Sequence, residues 1–295
     1  VSLELIRSRI ASAVFSQRLV EWASACAGDP SGTAVSAGRS LSVRGAVGSL
    51  PAFLTATVFL ETSRPVVCLL PDEDTAAFFG SDLQQILGSD EKVILLPISD
   101  NRPFDPEHMP DPAPTMARGD VLERLKDGYN GILVCSVPAF AEKVPPVEAV
   151  QSATLDIETG MDIDPEELIE RLVGQGFTRT EFVEAPGDLA LRGGILDVFP
   201  YTGSYPIRIE FFGDEVDSIR EFDIHTQRSV SRRSTARIVP NLEGEAAASH
   251  GRIPLTDHLD PATLVVELDG AALIEAADAL FTERTKQRES AVSKA

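Results

Sequence analysis

The stretch from Gly187 to Asp223, GDLALRGGILDVFPYTGSYPIRIEFFGDEVDSIREFD, constrains the fold more than any other part of the chain. Ile207, Ile209 and Phe211 alternate with Arg208, Glu210 and Phe212, the pattern of a half-buried β-strand. Gly213-Asp214 follows as a two-residue turn, with glycine supplying positive φ at the first position. The return strand runs from Glu215 to Phe222. Period-two alternation sends one set of side chains into a core. The charges of the other set lie on a face open to solvent or covered by a partner.

The chain before this stretch has a different rhythm. Leu3 to Ala25 reads as a helix, Ser40 to Val47 as a strand, and Pro51 to Leu60 as a helix with proline in its first turn. Pro65 to Leu70 reads as a strand of buried type. Asp72 to Leu87 is a predicted helix, with Ala76, Phe79, Leu83 and Leu87 at helical spacing. Lys92 to Pro97 is a strand, Met116 to Gly128 a helix and Gly131 to Val137 a strand. Apolar strands alternating with helices imply a parallel sheet covered on both faces, with right-handed crossovers. The five prolines of Ile98 to Thr115 exclude a continuous helix or central strand there and predict a surface loop.

Pro145-Pro146 marks a boundary. Beyond it Thr154 to Glu158 reads as a strand. Asp164-Pro165-Glu166-Glu167 is a helix start, with Asp as N-cap, Pro first and Glu third to close a capping box. Leu168, Ile169, Leu172 and Val173 form its buried stripe, and Gly174 or Gly176 ends it. QRSVSRRSTAR, after the hairpin, reads as a basic linker. Ile238-Val239-Pro240 and Thr263 to Leu268 are strand-like, Ala271 to Phe281 is helical, and the last residues read as frayed. The expected organisation is an α/β domain begun by residues 1–145, an α+β domain over 146–230, and a return segment, 231–295.

A chain of 295 residues with 43% hydrophobic content suits two or three folded units. It has no apolar run of transmembrane length and no signal-peptide pattern. Its three cysteines, Cys26, Cys68 and Cys135, are widely spaced, and the last two sit in apolar strand-like runs. Buried reduced thiols in a cytoplasmic protein are expected. Neither a metal cluster nor a cofactor is expected. A net charge of −20 makes stand-alone duplex binding a poor expectation, because DNA binding neutralises phosphates with a basic surface. A protein partner fits better, and a membrane partner is not expected.

RGGILDVFP and RIEFFGDEVDSIREFD also resemble the second domain shared by two bacterial repair proteins. One is UvrB, which recognises damage within the nucleotide excision nuclease; the other is the transcription-repair coupling factor. The likeness is dense from about Phe177 to Arg228 and thinner over most of the chain. It implies that this domain is inserted into a P-loop NTPase-like α/β domain and docks the excision-repair ATPase UvrA.

A working phosphate loop needs G-x-x-x-x-G-K-[ST] between strand and helix, its lysine reaching the β/γ-phosphates. The matching place here is SVRGAVGSLPAFL, where Gly45 and Gly48 are followed by Ser49 and Leu50 with no lysine. The expected loop is therefore degenerate. No tyrosine-rich DNA-clamping segment is present either. Both absences favour the coupling-factor family over an ATP-dependent damage-recognition protein of the UvrB type.

The resemblance places Arg179 (FTRTEF) and Arg192 (LALRGG) at arginines used in docking, and Glu210 (RIEFF) at an acidic partner of them. Ala190 stands where UvrB-type members often have another arginine. Arginine suits interfaces because its planar guanidinium bonds in pairs and stacks on aromatics. The residues alone also allow cross-strand ion pairs on a solvated sheet. Phe199 reads as an apolar anchor or as packing beside Pro200. Gly193 and Gly194 read as a bulge or tight bend. Arg228, Arg232, Arg233 and Arg237 form the one basic cluster, expected to be solvated, with nucleic acid or an acidic segment as alternatives. Asp197, Asp214, Glu215, Asp217 and Asp223 lack calcium-loop spacing and read as solvated strand faces. What the resemblance implies overall is a non-catalytic module that recruits UvrA to RNA polymerase stalled at damage. The family's whole protein is an ATP-driven DNA translocase that meets polymerase and DNA through other domains. Its C-terminal domain masks the UvrA-docking face.

Overall fold

The computed structural model describes residues 2–25, 40–100, 111–242 and 251–294. Cys26 and most of the proline- and aspartate-rich stretch lie outside them. The chain divides into two compact units. One comprises Val1–Ile98, Gly128–Ala141 and Leu259–Ala295; the other comprises Ser99–Asp127 and Glu142–His258. The first unit thus ends before residue 145 and resumes after 231. Residues beyond 230 stay with the second unit because Thr235–Ile238 pairs with Leu155–Glu158.

In the first unit β1 (Val66–Leu70), β2 (Val93–Leu96), β3 (Ile132–Ser136) and β12 (Leu264–Glu267) form a parallel sheet in the order β12-β1-β3-β2. Such a sheet buries its central strands on both faces, and every residue of β3 is buried. Helices α3 (Leu50–Thr62) and α4 (Glu73–Leu87) share its core. Ala52, Ala56 and Phe59 pack with Val66, Cys68, Leu83, Ile132 and Val134. The Asp72 side chain caps α4 by accepting from the Thr75 N–H at 2.8 Å. Cys68 and Cys135 are buried, free thiols. Burial pushes the Cys135 thiol up to about 12, and the Cys68 thiol well above its usual value.

Four expectations in this unit need correction. The predicted helix Leu3 to Ala25 is two helices, α1 (Leu3–Ala11) and α2 (Val14–Ala25), broken at Ser12. Ser40 to Val47 is not a strand. It pairs with no strand of the sheet, and Leu41, Val43 and Val47 are exposed, so no core draws its apolar residues into an extended pairing. The strand–turn–helix frame of a phosphate loop is therefore incomplete. The final helix, α9, spans Gly270–Lys294 and does not fray after Phe281.

In the second unit α5 (Pro112–Lys126) begins four residues earlier than its apolar pattern predicts. Pro112 is tolerated at the start, where the missing N–H has no intrahelical partner, and the Asp111 side chain accepts from the Ala113 N–H. Arg118 on this helix is fully buried and pairs with Glu142 at 3.1 Å; Glu142 also accepts from the Ser99 N–H and hydroxyl. A short helix, α6 (Val137–Ala141), follows β3 at the end of the first unit's middle segment. Another, α7 (Val147–Ala153), leads to β4 (Leu155–Glu158). Helix α8 (Pro165–Gly174) starts as predicted, Asp164 accepting from Glu166 and Glu167 N–H groups.

The main sheet of this unit has six strands in the order β10-β9-β8-β7-β6-β5. They are β5 (Thr178–Arg179), β6 (Asp188–Arg192), β7 (Ile195–Val198), β8 (Ile207–Phe212), β9 (Glu215–Phe222) and β10 (Ser229–Arg233). All neighbours are antiparallel except β5 and β6. Gly213 closes the β8–β9 turn at φ +66°, as its sequence predicts. One face packs on α8, joining Leu168, Ile169 and Leu172 to Leu189, Leu196, Ile209 and Ile219. The predicted basic linker is instead β10 followed by β11 (Thr235–Ile238), which pairs with β4. Ala236 and Ile238 face the core, an alternation hidden by the arginines and serines around it.

Candidate functional site

The register of the six-stranded sheet decides which side chains share its outer face. Ala190 lies opposite Asp197, Asp197 opposite Arg208, Arg208 opposite Arg220, and Arg220 opposite Arg232. The adjacent row is Arg192, Ile195, Glu210 and Ser218. Residues two apart on a strand point the same way, so both rows lie on the face turned away from α8. A row of arginines directly across neighbouring strands is repulsive unless anions separate them. Asp197 and Glu210 are those anions.

Asp197 is buried, at 1% exposure, not the solvated side chain its spacing suggests. Arg208 bonds both of its oxygens, at 2.7 and 2.8 Å, and Arg192 reaches Oδ2 at 2.5 Å. The Arg192 guanidinium carbon stands 4.8 Å from the centre of the Phe182 ring, and that of Arg208 stands 4.3 Å from the Phe222 ring, distances at which cation–π attraction operates. The bond to Asp197 raises the Arg208 pKa further, so this guanidinium stays charged. Glu210 accepts from the Ser218 hydroxyl at 2.7 Å and pairs with Arg220. The Ser218 bond first, then the charge of Arg220, lowers the Glu210 carboxyl below its ordinary value.

Arg192 and Glu210 therefore share one face. Arg179 does not share it. It stands in register with Leu189, a core-facing residue, and pairs with Glu166 of α8 at 3.4 Å, both side chains being more than half exposed. Phe199 is buried with Val183, Ala190, Met116 and Ile224, which makes it packing at one end of the outer face. Ala190, at 1% exposure, belongs to the same cluster; the carboxylate opposite it is held by Arg208 instead. Gly193 has φ +63°, and a Cβ on Gly194 would stand 2.9 Å from the Phe211 carbonyl oxygen, so this pair serves a tight bend.

Sequence reasoning missed Phe182, an aromatic 51% exposed beside Arg192, and the part played by Asp197 and Arg208. The Gly193-Gly194 turn sets Asp197 opposite Ala190, but its pairing with Arg208 lies across the longer connection from β7 to β8, whose register residue spacing does not give.

The expected basic cluster is divided. Arg233 pairs with Glu221 at 3.1 Å, and Arg237 with Asp156, Asp127 and Glu123 at 2.9 to 3.4 Å. Gly45 and Gly48 of the degenerate phosphate loop have φ of +80° and +60°, with nothing within 4 Å of an added Cβ. The Ser49 side chain makes no cap to α3. Among the described residues no group of three or more His, Cys, Asp or Glu is arranged to hold a metal ion. No described helix is long and apolar enough to cross a membrane.

The profile of the UvrB interaction domain family matches residues 155–243, a span holding β4, α8, the whole six-stranded sheet and β11. Among curated relatives, the transcription-repair-coupling factor of Bacillus subtilis is 36% identical over 200 residues, 68% of this chain and 17% of the relative. That of Myxococcus xanthus is 33% identical over 213 residues, 70% of this chain and 18% of its own length. That of Staphylococcus aureus (strain USA300) is 41% identical over 108 residues, 37% of this chain and 9% of the relative. The chain spans less than a fifth of the length of the relatives it matches.

Proposed function

We propose that this chain, a UvrB-homology module of the transcription-repair coupling factor family by its matches, recruits UvrA through its second unit in transcription-coupled repair. Recruitment is non-covalent docking on the outer face of the six-stranded sheet. The observation that carries this reading is the coincidence of the family match with that sheet and its Arg192–Asp197–Arg208 cluster, beside exposed Phe182. Arginine and aromatic side chains held together and partly exposed are the residue types on which binding energy concentrates. Arg179 borders this face from the β5 edge, and Glu210 orders its far row. Phe199 packs at one end of the face, against Ala190.

In this reading the second unit is inserted in the first, and the two form the N-terminal module of a longer cytoplasmic protein, an ATP-dependent DNA translocase that meets RNA polymerase and DNA through other domains. The same face is masked by that protein's C-terminal domain until UvrA is needed. The module itself is not an enzyme and needs no cofactor, since no lysine follows Gly48 where a phosphate loop would carry one. A melting temperature that rises with Mg-ATP concentration would overturn that part. The docking reading is tested by titrating the purified chain against UvrA. Saturable binding that Arg192→Glu abolishes is expected, since reversal adds repulsion to lost contacts; a chain that does not bind removes the reading.

A further inference from the structure

We infer that Asp197 is the positioning residue of the docking face. Its buried carboxylate, itself gripped by Arg208, holds Arg192 against Phe182, so that the Arg192 guanidinium meets a partner already oriented. The inference rests on the docking reading above. Asp197 itself is too buried to touch a partner, with 2% of its side chain accessible against 35% for Arg192. Its effect on binding must pass through Arg192, the more exposed of its two arginine partners.

Burial of this carboxylate calls for an explanation. It sits on β7 between Leu196 and Val198, both fully buried. A carboxylate there is costly to desolvate, and an apolar pair of similar volume commonly serves stability as well or better. What the charge adds is geometry. Three hydrogen bonds from two strands, β6 and β8, converge on its two oxygens. Each arginine has an aromatic ring on another side. A long side chain clamped in this way has already lost its rotamer freedom in the free protein, so ordering it no longer opposes association. A lysine could not be clamped alike, because it lacks the planar fork and the stacking face. Ala190, opposite Asp197, leaves the carboxylate to these two arginines.

The test is Asp197→Asn, which keeps the size but turns an amide N–H₂ toward a guanidinium. UvrA affinity should fall about tenfold or more, as on loss of an interface anchor. In an Arg192→Ala background the same change should cost less than about threefold, because residues acting through one another are non-additive. The Nε–Hε signal of Arg192 in ¹⁵N NMR of the free chain should be that of an ordered side chain, and should lose that order in Asp197→Asn. A purely structural carboxylate would leave that signal unchanged. Wild-type affinity in Asp197→Asn, or a full tenfold loss persisting without Arg192, overturns the inference. Should Asp197→Asn fail to fold, Arg192→Lys decides. It should weaken binding about fivefold or more, and wild-type affinity overturns the inference. If the unmodified chain does not bind UvrA, the docking reading fails by itself; the Arg192 signal still reports whether Asp197 positions it.

Discussion

The parallel sheet and the six-stranded sheet use their strands in opposite ways. In β3 five consecutive residues are buried, including Cys135, and none carries a charge. In β9 Val216 and Ile219 join the core under α8, while Glu215, Asp217 and Arg220 are less covered. A sheet covered on both faces has no surface to offer, and its sequence answers only to packing. A sheet covered on one face must do something with the other. Here that face carries arginines in direct cross-strand register, an unfavourable arrangement made tolerable by two carboxylates. Chemistry available to a partner is therefore concentrated in the second sheet. In the proposed reading the first serves as scaffold, and its glycine turn, Gly45 to Ser49, lacks the lysine and the strand of a phosphate loop.

The largest expected effect tests the scaffold side of this contrast. Leu133 lies within β3 at 2% exposure. Leu133→Ala should cost about 3 kcal/mol of stability through lost transfer energy and a residual cavity. Affinity for UvrA per folded molecule should not change. Denaturant melts beside a titration below the transition would check both, and selective loss of binding would place a docking contribution on the first unit.

Arg192→Ala should act the other way round. It should weaken UvrA binding by about 2 kcal/mol, as an anchor truncation does. Its stability cost should stay within about 1 kcal/mol, because Asp197 keeps both bonds from Arg208. Equal losses of binding and stability would mean that Arg192 holds the sheet together and does not meet a partner.

How far this contrast is legible in the sequence depends on the range of the interactions. Local signals read well: the cap at Asp164, the buried run Val66 to Leu70, and the turn at Gly213 each depend on residues a few positions apart. Ser40 to Val47 reads as a strand but joins no sheet and leaves Leu41, Val43 and Val47 exposed, which alternation alone cannot report. β11 reads as linker because its partner, β4, lies some eighty positions away, Arg237 standing opposite Asp156. Arg192 is readable through resemblance, whereas the burial of Asp197 depends on three strands meeting. The face occupied by Arg179 is hidden for the same reason: its register with Leu189 is set by a parallel pairing that spacing does not reveal.

A smaller effect sharpens the electrostatic half of the comparison. The folded-state pKa of Glu210 lies below its ordinary value of 4.5, through the Ser218 bond and then Arg220. Its contribution to stability is thus fully present above pH 4.5 and is lost as the pH falls through the lower folded value. The pair is partly exposed, so the contribution should be under about 1 kcal/mol. Urea melts of the parent and of Glu210→Gln should differ at neutral pH and converge in acid. A gap that persists below the folded pKa would show that Glu210 acts through packing and not through its charge.

The smallest effect on folding belongs to Arg179, and it sets the border of the docking face. Its only ion pair in the described residues, with Glu166, is 3.4 Å long and open to water at both ends. Arg179→Ala should change stability by less than about 0.5 kcal/mol. Its effect on UvrA binding depends on where the partner ends. If the contact is centred on Arg192 and Phe182, Arg179 lies on the rim at the β5 edge, with its side chain toward α8. Rim charges are worth little at equilibrium and act mainly on association rate and its salt dependence. Arg179→Ala should then weaken binding by under about 1 kcal/mol, mostly through slower association at low salt. Stopped-flow association at two salt concentrations separates the cases. A loss as large as that of Arg192→Ala, carried by faster dissociation, would mean that the partner wraps the sheet edge and grips both faces. The division between a covered face and a docking face would then end at β5.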